Sequence, residues 1–76
     1  MRLTDCERII MNIIWAADHD LALYEIVEVL NADGRYWRET AISAFLRRLR
    51  AKEVITRYRK KGVTFYRPIK ENEDLK

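Results

Sequence analysis

The start of the chain has the sequence signature of a helix N-terminus. Thr4 is followed three residues later by Glu7, the spacing of a capping box, in which each side chain bonds to the backbone N–H of the other residue. Apolar residues then recur at helical spacing, at Ile9, Ile10, Ile13 and Ile14. We therefore predict a first helix from about Asp5 to Ala17, with its apolar stripe facing a core.

Two further helices are predicted after a polar loop at residues 18–20. The second is short and amphipathic and ends near Asn31 and Gly34, because apolar residues recur at Ile26, Val27 and Leu30. The third runs from about Arg38 to Lys52. Its buried face is predicted to consist of Ile42, Phe45, Leu46 and Leu49.

After the third helix the apolar period shortens to nearly two residues, which is typical of β-strands. Two such segments, residues 54–59 and 63–67, have Lys61 and Gly62 between them, which predicts a β-hairpin. Pro68 has no backbone N–H to donate, so it ends the second strand.

Three helices followed by a hairpin predict a mainly α fold with a small β-hairpin, a winged helix-turn-helix in which the hairpin is the wing. The composition, 49% hydrophobic and 36% charged, supports a packed domain. We expect one domain in residues 1–70 and a frayed polar tail in residues 71–76.

Charge is divided unevenly between the two halves of the chain. The formal net charge is +3, yet residues 1–34 hold two basic and seven acidic side chains, whereas residues 35–70 hold twelve basic and two acidic ones. Such a basic block suits a polyanion, because each neutralised phosphate releases condensed counterions. Double-stranded DNA is the predicted partner. A basic face that is merely solvated would normally have acids interleaved.

The outward face of the third helix is small, polar and basic at about 100° per residue. A major groove about 12 Å wide admits such a helix, whose hydroxyl, methyl and guanidinium groups match base edges. We predict that bases are read by Thr40, Ser43, Ala44, Arg47 and Arg48. The alternative is that these are ordinary small residues on a solvated helix face.

The remaining basic residues are predicted to bind the sugar-phosphate backbone, which sets register without reading sequence. These residues are Arg38, Lys52, Arg57, Arg59, Lys60 and Lys61. Tyr58, Phe65 and Tyr66 are interpreted as packing residues under the wing rather than as stacking platforms for single-stranded bases.

Several segments also resemble the penicillinase-repressor family of bacterial winged-helix regulators. No single segment is diagnostic, but their order and spacing together are specific over nearly the whole chain. They are Leu3-Thr4-Asp5, Met11-Asn12-Ile13-Ile14-Trp15, Glu25-Ile26-Val27-Glu28-Val29-Leu30, Trp37, Thr40 with Ile42, Leu46-Arg47-Arg48-Leu49, and Phe65-Tyr66-Arg67-Pro68. The resemblance implies a homodimeric repressor that binds a two-fold symmetric operator and leaves it on a signal.

The resemblance also implies base contacts from the start and middle of the third helix, in agreement with the helical wheel; here these residues are Thr40, Ser43, Ala44 and Arg48. This chain departs from the family pattern at Ala41 and Arg47, so its operator is expected to differ. Glu53 stands where the family usually has glycine, so we expect the turn into the hairpin to use another conformation. Family members normally continue into a dimerising segment, and a homodimer is expected here if such a segment exists or on DNA.

Other function classes have less support. A winged helix that binds an acidic protein partner, or nucleic acid without sequence preference, is the alternative to operator reading. An enzyme is not expected, because Cys6 has no identifiable basic partner and His19 lies in an acidic, solvated loop. No cofactor, metal or small-molecule substrate is expected, since one cysteine and one histidine are too few for a four-ligand zinc site. A cytoplasmic protein without membrane contact is expected, because neither a signal-peptide pattern nor a long apolar run occurs.

Overall fold

The polypeptide forms three helices and a small antiparallel sheet in the computed structural model, which describes residues 3–32, 34 and 36–70. In chain order the elements are α1 (Asp5–Ala16), β1 (Leu21–Ala22), α2 (Leu23–Ala32), α3 (Glu39–Ala51), β2 (Ile55–Lys60) and β3 (Val63–Pro68). The predicted order of three helices and a hairpin is confirmed. The tail predicted at residues 71–76 lies outside the described residues.

The helices begin and end close to the positions predicted from the sequence. At the start of α1 the capping box is present: Thr4 N–H donates to Glu7 Oε1 at 2.9 Å, and Glu7 N–H donates to Thr4 Oγ1 at 3.3 Å. At the end of α2, Gly34 has φ +82° and its N–H donates to the Asn31 carbonyl at 3.0 Å. A positive φ is the conformation that favours glycine just after a helix.

The sheet contains a short strand that the sequence pattern does not indicate. β1 pairs antiparallel with β3 through Leu21↔Tyr66 and Ala22↔Phe65, which gives the strand order β1-β3-β2. A two-residue strand is too short to show a period of two, so the sequence predicts only the hairpin. Because β1 pairs with its other edge, β3 is the central strand, and the base of the wing is attached to the helical part of the fold.

The core lies between the helices and the base of the sheet. α3 contributes Ile42, Leu46 and Leu49, each at most 1% exposed. Phe45, which was predicted in the same stripe, is only partly buried and packs against Trp37 with ring centroids 5.7 Å apart. Burying this stripe is what holds α3 at one rotation about its axis, because a turned helix would expose these apolar side chains.

A buried ion pair connects the start of α1 to the end of α3. The Glu7 side chain is 1% exposed, and its Oε1 accepts a hydrogen bond from Lys52 Nζ at 2.6 Å. Burial raises the pKa of the Glu7 carboxyl, but the hydrogen bonds with Lys52 and Thr4 and the lysine charge outweigh it, so the pKa is lowered. Glu7 Oε2 is buried without a hydrogen-bond partner in the described part of the chain. The Lys52 contact therefore compensates much of the cost of burying this carboxylate.

The turn after α3 corrects an expectation drawn from the sequence. Glu53 adopts the left-handed conformation, with φ +59°. The N–H of Val54 donates to the Leu49 carbonyl at 3.1 Å, and the N–H of Glu53 donates to the Arg50 carbonyl at 3.0 Å. These two bonds define a Schellman motif, which usually has glycine at the position of Glu53. The expectation of another conformation was wrong: apolar residues at the positions of Leu49 and Val54 commonly accompany a Schellman motif, and both are fully buried in the core here.

Replacing Glu53 with glycine is expected to stabilise the fold by about 1 kcal/mol, since the left-handed conformation costs an L-residue roughly 1–2 kcal/mol. The melting temperature, followed by circular dichroism, should rise by about 4–8 °C. Glu53→Ala is the matched control, because it removes the carboxylate but keeps the Cβ and should give no comparable gain. Equal gains in both variants would assign the effect to charge rather than to the turn.

The free energy of unfolding is expected to fall in acid because of Glu7. Its pKa is lower in the folded protein than the ordinary 4.5, so its contribution is present above pH 4.5 and is lost as the pH falls through the lowered value. Urea unfolding from neutral to acidic pH measures this loss. Glu7→Gln should be less stable at neutral pH by about 1–3 kcal/mol and should lose less stability in acid. If both proteins lost the same amount in acid, other carboxylates would be responsible.

Candidate nucleic-acid interface

The buried stripe of α3 determines which of its side chains face outward. Thr40, Ala44, Arg47 and Arg48 are exposed, and Ser43 is half-buried. The structure therefore places every side chain predicted to read bases on or beside the outer face of one helix.

This outer face carries a shallow depression. Its lining consists of Glu39, Thr40, Ser43, Ala44 and Arg47. Four of these are predicted base-reading residues, and Glu39 is an addition to the set. Hydroxyl groups, a methyl group, a guanidinium and a carboxylate together supply the donors, acceptors and apolar contacts that base edges in a major groove can match.

Arg48 lies beside the depression rather than in its lining. Its guanidinium carbon is 5.5 Å from the centroid of the Phe45 ring, within the range of a cation–π contact. The Phe45 ring packs in turn on Trp37. The two neighbouring arginines therefore have different surroundings, and Arg47 is the one that lines the depression.

The tip of the wing is a two-residue turn at Lys61 and Gly62. Their φ angles are +51° and +80°, and the flanking residues Lys60 and Val63 are paired across the strands. Positive φ at both central positions is what a type I′ turn requires, and this turn matches the right-handed twist of a hairpin. The turn presents two exposed lysines, Lys60 and Lys61, at the end of the wing.

The arginines of β2 share one face of the hairpin. Arg57 pairs with Tyr66, and alternate residues of a strand point to the same side, so Arg57 and Arg59 lie on the face that carries the buried Tyr66 ring. Lys60 lies on the opposite face. All three side chains are exposed. The wing therefore offers cations on both faces and at its tip.

A polar cluster ties the wing to the segment before β1. Tyr58 OH donates to Asp20 Oδ2 at 2.6 Å, and Arg67 Nε lies 3.6 Å from the same oxygen. The hydrogen bond to the Asp20 carboxylate raises the pKa of the Tyr58 hydroxyl. The guanidinium carbon of Arg67 also lies over the Tyr58 ring, 6.0 Å from its centroid. The position of the wing thus depends on an acid from the N-terminal half of the chain.

Tyr58 is more exposed than the sequence predicts. The prediction is a packing residue under the wing, but Tyr58 is 39% exposed, and its ring stacks on Phe65 with centroids 5.7 Å apart. The reason is that β1 brings Asp20 beside the wing, where the hydroxyl finds a partner at the surface. Tyr66 is buried in the core, so the packing role predicted for it is confirmed, whereas Phe65 is half-buried and packs against the Tyr58 ring.

The remaining two residues predicted to bind phosphate lie at opposite ends of α3. Arg38 is the exposed N-cap residue, and its side chain makes no capping hydrogen bond. Lys52 is the C-cap residue, and its ammonium group is bonded to Glu7. The structure thus gives Lys52 a role within the fold, and its contact with phosphate stays a prediction.

The helix face and the wing tip adjoin each other at Glu39. This residue lines the depression on α3 and also a second one, whose other walls include Tyr24 of α2 and residues 62–64 of the wing. Sequence reasoning missed Glu39, because an acid in the first turn is readily explained by the helix macrodipole. Its spacing of four residues from Ser43 is the signal that could have placed it on the same face.

A titratable cluster occupies the loop between α1 and β1. His19 Nδ1 lies 2.8 Å from Asp18 Oδ1, and His19 Nε2 lies 3.1 Å from Glu25 Oε2. The hydrogen bond with Asp18 is the largest cause of a raised His19 pKa, followed by the bond with Glu25. Glu25 Oε1 also accepts the Ala22 N–H at 2.9 Å. His19 is exposed, as expected, but both of its ring nitrogens have partners.

The described residues contain neither a candidate metal site nor a candidate membrane-spanning helix. Among them, no group of three or more His, Cys, Asp or Glu side chains is arranged to hold a metal ion. The helices of residues 3–32 and 36–70 are all too short or too polar to cross a membrane.

Three helices, the third with its outer face exposed beside an antiparallel hairpin, are the arrangement of a winged helix. A sequence profile of the penicillinase repressor family matches residues 3–76, and the chain belongs to this family. The resemblance drawn from the sequence is confirmed.

The fold is also similar to a solved structure, the solution structure of the DNA-binding domain of the repressor BlaI. The TM-score is 0.81 and the sequence identity 23%, over 96% of this chain and 87% of that one. At this identity the likeness shows a shared winged-helix fold. No curated protein matches the chain significantly.

Replacing Tyr58 with phenylalanine is expected to loosen the wing, because it removes the hydrogen bond to Asp20. The loss should be seen as faster amide hydrogen exchange in β2 and β3 with little change in α1. Tyr24→Phe is the control, since it removes the hydroxyl of a tyrosine that is 66% exposed. Unchanged exchange in the wing of Tyr58→Phe would show that the bond does not hold it in place.

Proposed function

We propose that this chain reads an operator in double-stranded DNA as part of a transcriptional repressor, with α3 in the major groove and the wing on the sugar-phosphate backbone. One observation carries the proposal. The outward face of α3, lined by most of the predicted base-reading residues, adjoins the basic wing. A single surface thus combines groups that match base edges with cations that match phosphates.

The residues of the depression divide base reading among different chemistries. The hydroxyl groups of Thr40 and Ser43 can donate to or accept from base edges, and the Ala44 methyl can pack on the methyl group of thymine. Arg47 can donate two hydrogen bonds to O6 and N7 of a guanine. Arg48, held against Phe45, is a second candidate for the same role at the edge of the face.

The wing supplies affinity without sequence information. Arg57, Arg59, Lys60 and Lys61 are exposed and would neutralise phosphates beside the groove, as Arg38 would at the start of α3. Binding should therefore weaken steeply as salt is added. Lys52 is the weakest of the predicted phosphate contacts, because Glu7 already binds its ammonium group.

Family membership and the likeness to a domain named for DNA binding support the same function. Two copies of the chain would occupy a two-fold symmetric operator, because paired half-sites about 34–36 Å apart place two recognition helices on the same side of the duplex. A repressor of this kind would act by occupying the operator.

Selection from a random pool of duplex DNA at near-physiological salt, followed by sequencing, tests the proposal. Enrichment of a motif is expected, with an inverted repeat if two copies bind together. Retention of a pool that stays random would instead mean backbone binding alone. No retention would contradict DNA binding and would favour an acidic protein as the partner of the basic surface.

Two substitutions are expected to separate base reading from backbone binding. Arg47→Ala should reduce the preference for the enriched motif over a scrambled duplex by about 5- to 100-fold, since a bidentate contact contributes roughly 1–3 kcal/mol of discrimination. Lys60→Ala should weaken both duplexes equally and reduce the salt slope by about one unit. Titrations of both duplexes at several salt concentrations measure this. Equal losses on the two duplexes for both variants would contradict the assigned roles.

A further inference from the structure

We infer that Glu39 determines specificity in this interface by selecting a cytosine, whose N4 amine donates a hydrogen bond to its carboxylate. This inference rests on the proposed function and deepens it. It concerns the one acid among the five described residues that line the depression on α3.

The position of Glu39 would bring its carboxylate close to any bound duplex. It is the first residue of α3, it is exposed, and it lies where the helix face meets the wing tip. If α3 enters a major groove, Glu39 is enclosed between the base edges and the strand that the wing contacts. In the part of the chain that the structure describes, no hydrogen bond or ion pair uses its carboxylate. The group is therefore available to a ligand.

A carboxylate in this place is selective because most of what it would meet repels it. Phosphate oxygens, guanine O6 and N7, and thymine O4 are all acceptors, so burying Glu39 against them is costly. The donors in a major groove are the amines of cytosine and adenine. Adenine places its N7 acceptor beside its amine, whereas cytosine offers the amine without an acceptor on the same edge. Cytosine is therefore the base that best compensates the desolvation of Glu39.

The competing explanation of Glu39 is local. An acid in the first turn of a helix interacts favourably with the macrodipole and would be found there even without DNA. That role affects stability but leaves base preference untouched, so a readout of base preference separates the two explanations.

The test compares selections from the same random duplex pool by four proteins: the unaltered chain, Glu39→Gln, Glu39→Ala and the control Glu28→Gln. The unaltered chain should enrich a motif with cytosine at the position facing Glu39. Glutamine should replace that cytosine with adenine, because its amide can bond to both N6 and N7. Alanine should leave the position unspecified, with a loss of about fivefold or more in discrimination there. Glu28→Gln makes the same charge change on the exposed surface of α2 and should leave the motif unchanged.

The outcomes distinguish this inference from the proposed function. A pool that stays random with the unaltered chain would contradict the proposed function itself. A motif that is the same for all four proteins would overturn the inference alone. A uniform gain in affinity of both Glu39 variants for every duplex, without a change at one position, would also overturn it, because Glu39 would then act only through its charge. Circular dichroism of each variant confirms that the compared proteins are folded.

Discussion

Burial of the stripe formed by Ile42, Leu46 and Leu49 is the constraint on which the candidate interface depends. These side chains can leave water together only at one rotation of α3, so the side chains opposite them must face outward. Because Thr40 and Arg47 lie on that opposite side, their exposure follows from the packing of the core. An interface built on a packed helix is also rigid, and a rigid interface pays less conformational entropy when it binds.

Two features at the end of α3, an ion pair and a turn, each carry an energetic cost. The Glu7–Lys52 pair places a carboxylate in the core, and Glu53 holds a left-handed backbone that glycine would adopt with less strain. These features set where the helix stops and the direction in which β2 leaves it. The position of the wing relative to the helix face therefore depends on them. Stability and the geometry of the interface are coupled at this corner of the fold.

The uneven charge along the chain has a structural counterpart. Acids of the N-terminal half bind selected groups of the basic half: Glu7 binds Lys52, and Asp20 binds Tyr58 and Arg67. These contacts lie at the end of α3 and on the face of the hairpin that carries Tyr58. Arg57 and Arg59 on the other face, and Lys60 and Lys61 near the tip, stay exposed, where a polyanion can approach them. The basic side chains that are grouped in the sequence are therefore also grouped on the surface.

The three helices, the hairpin and the outward face of α3 could be predicted from local patterns, because periodicity and capping act over a few neighbouring residues. The features that join distant parts of the chain became visible only in the folded structure. Lys52 meets Glu7 across 45 positions, and Tyr58 meets Asp20 across 38. The pairing of β1 and the meeting of Glu39 with the wing are of the same kind. No local pattern encodes such contacts, since they form only when the buried faces of all the elements pack around one core.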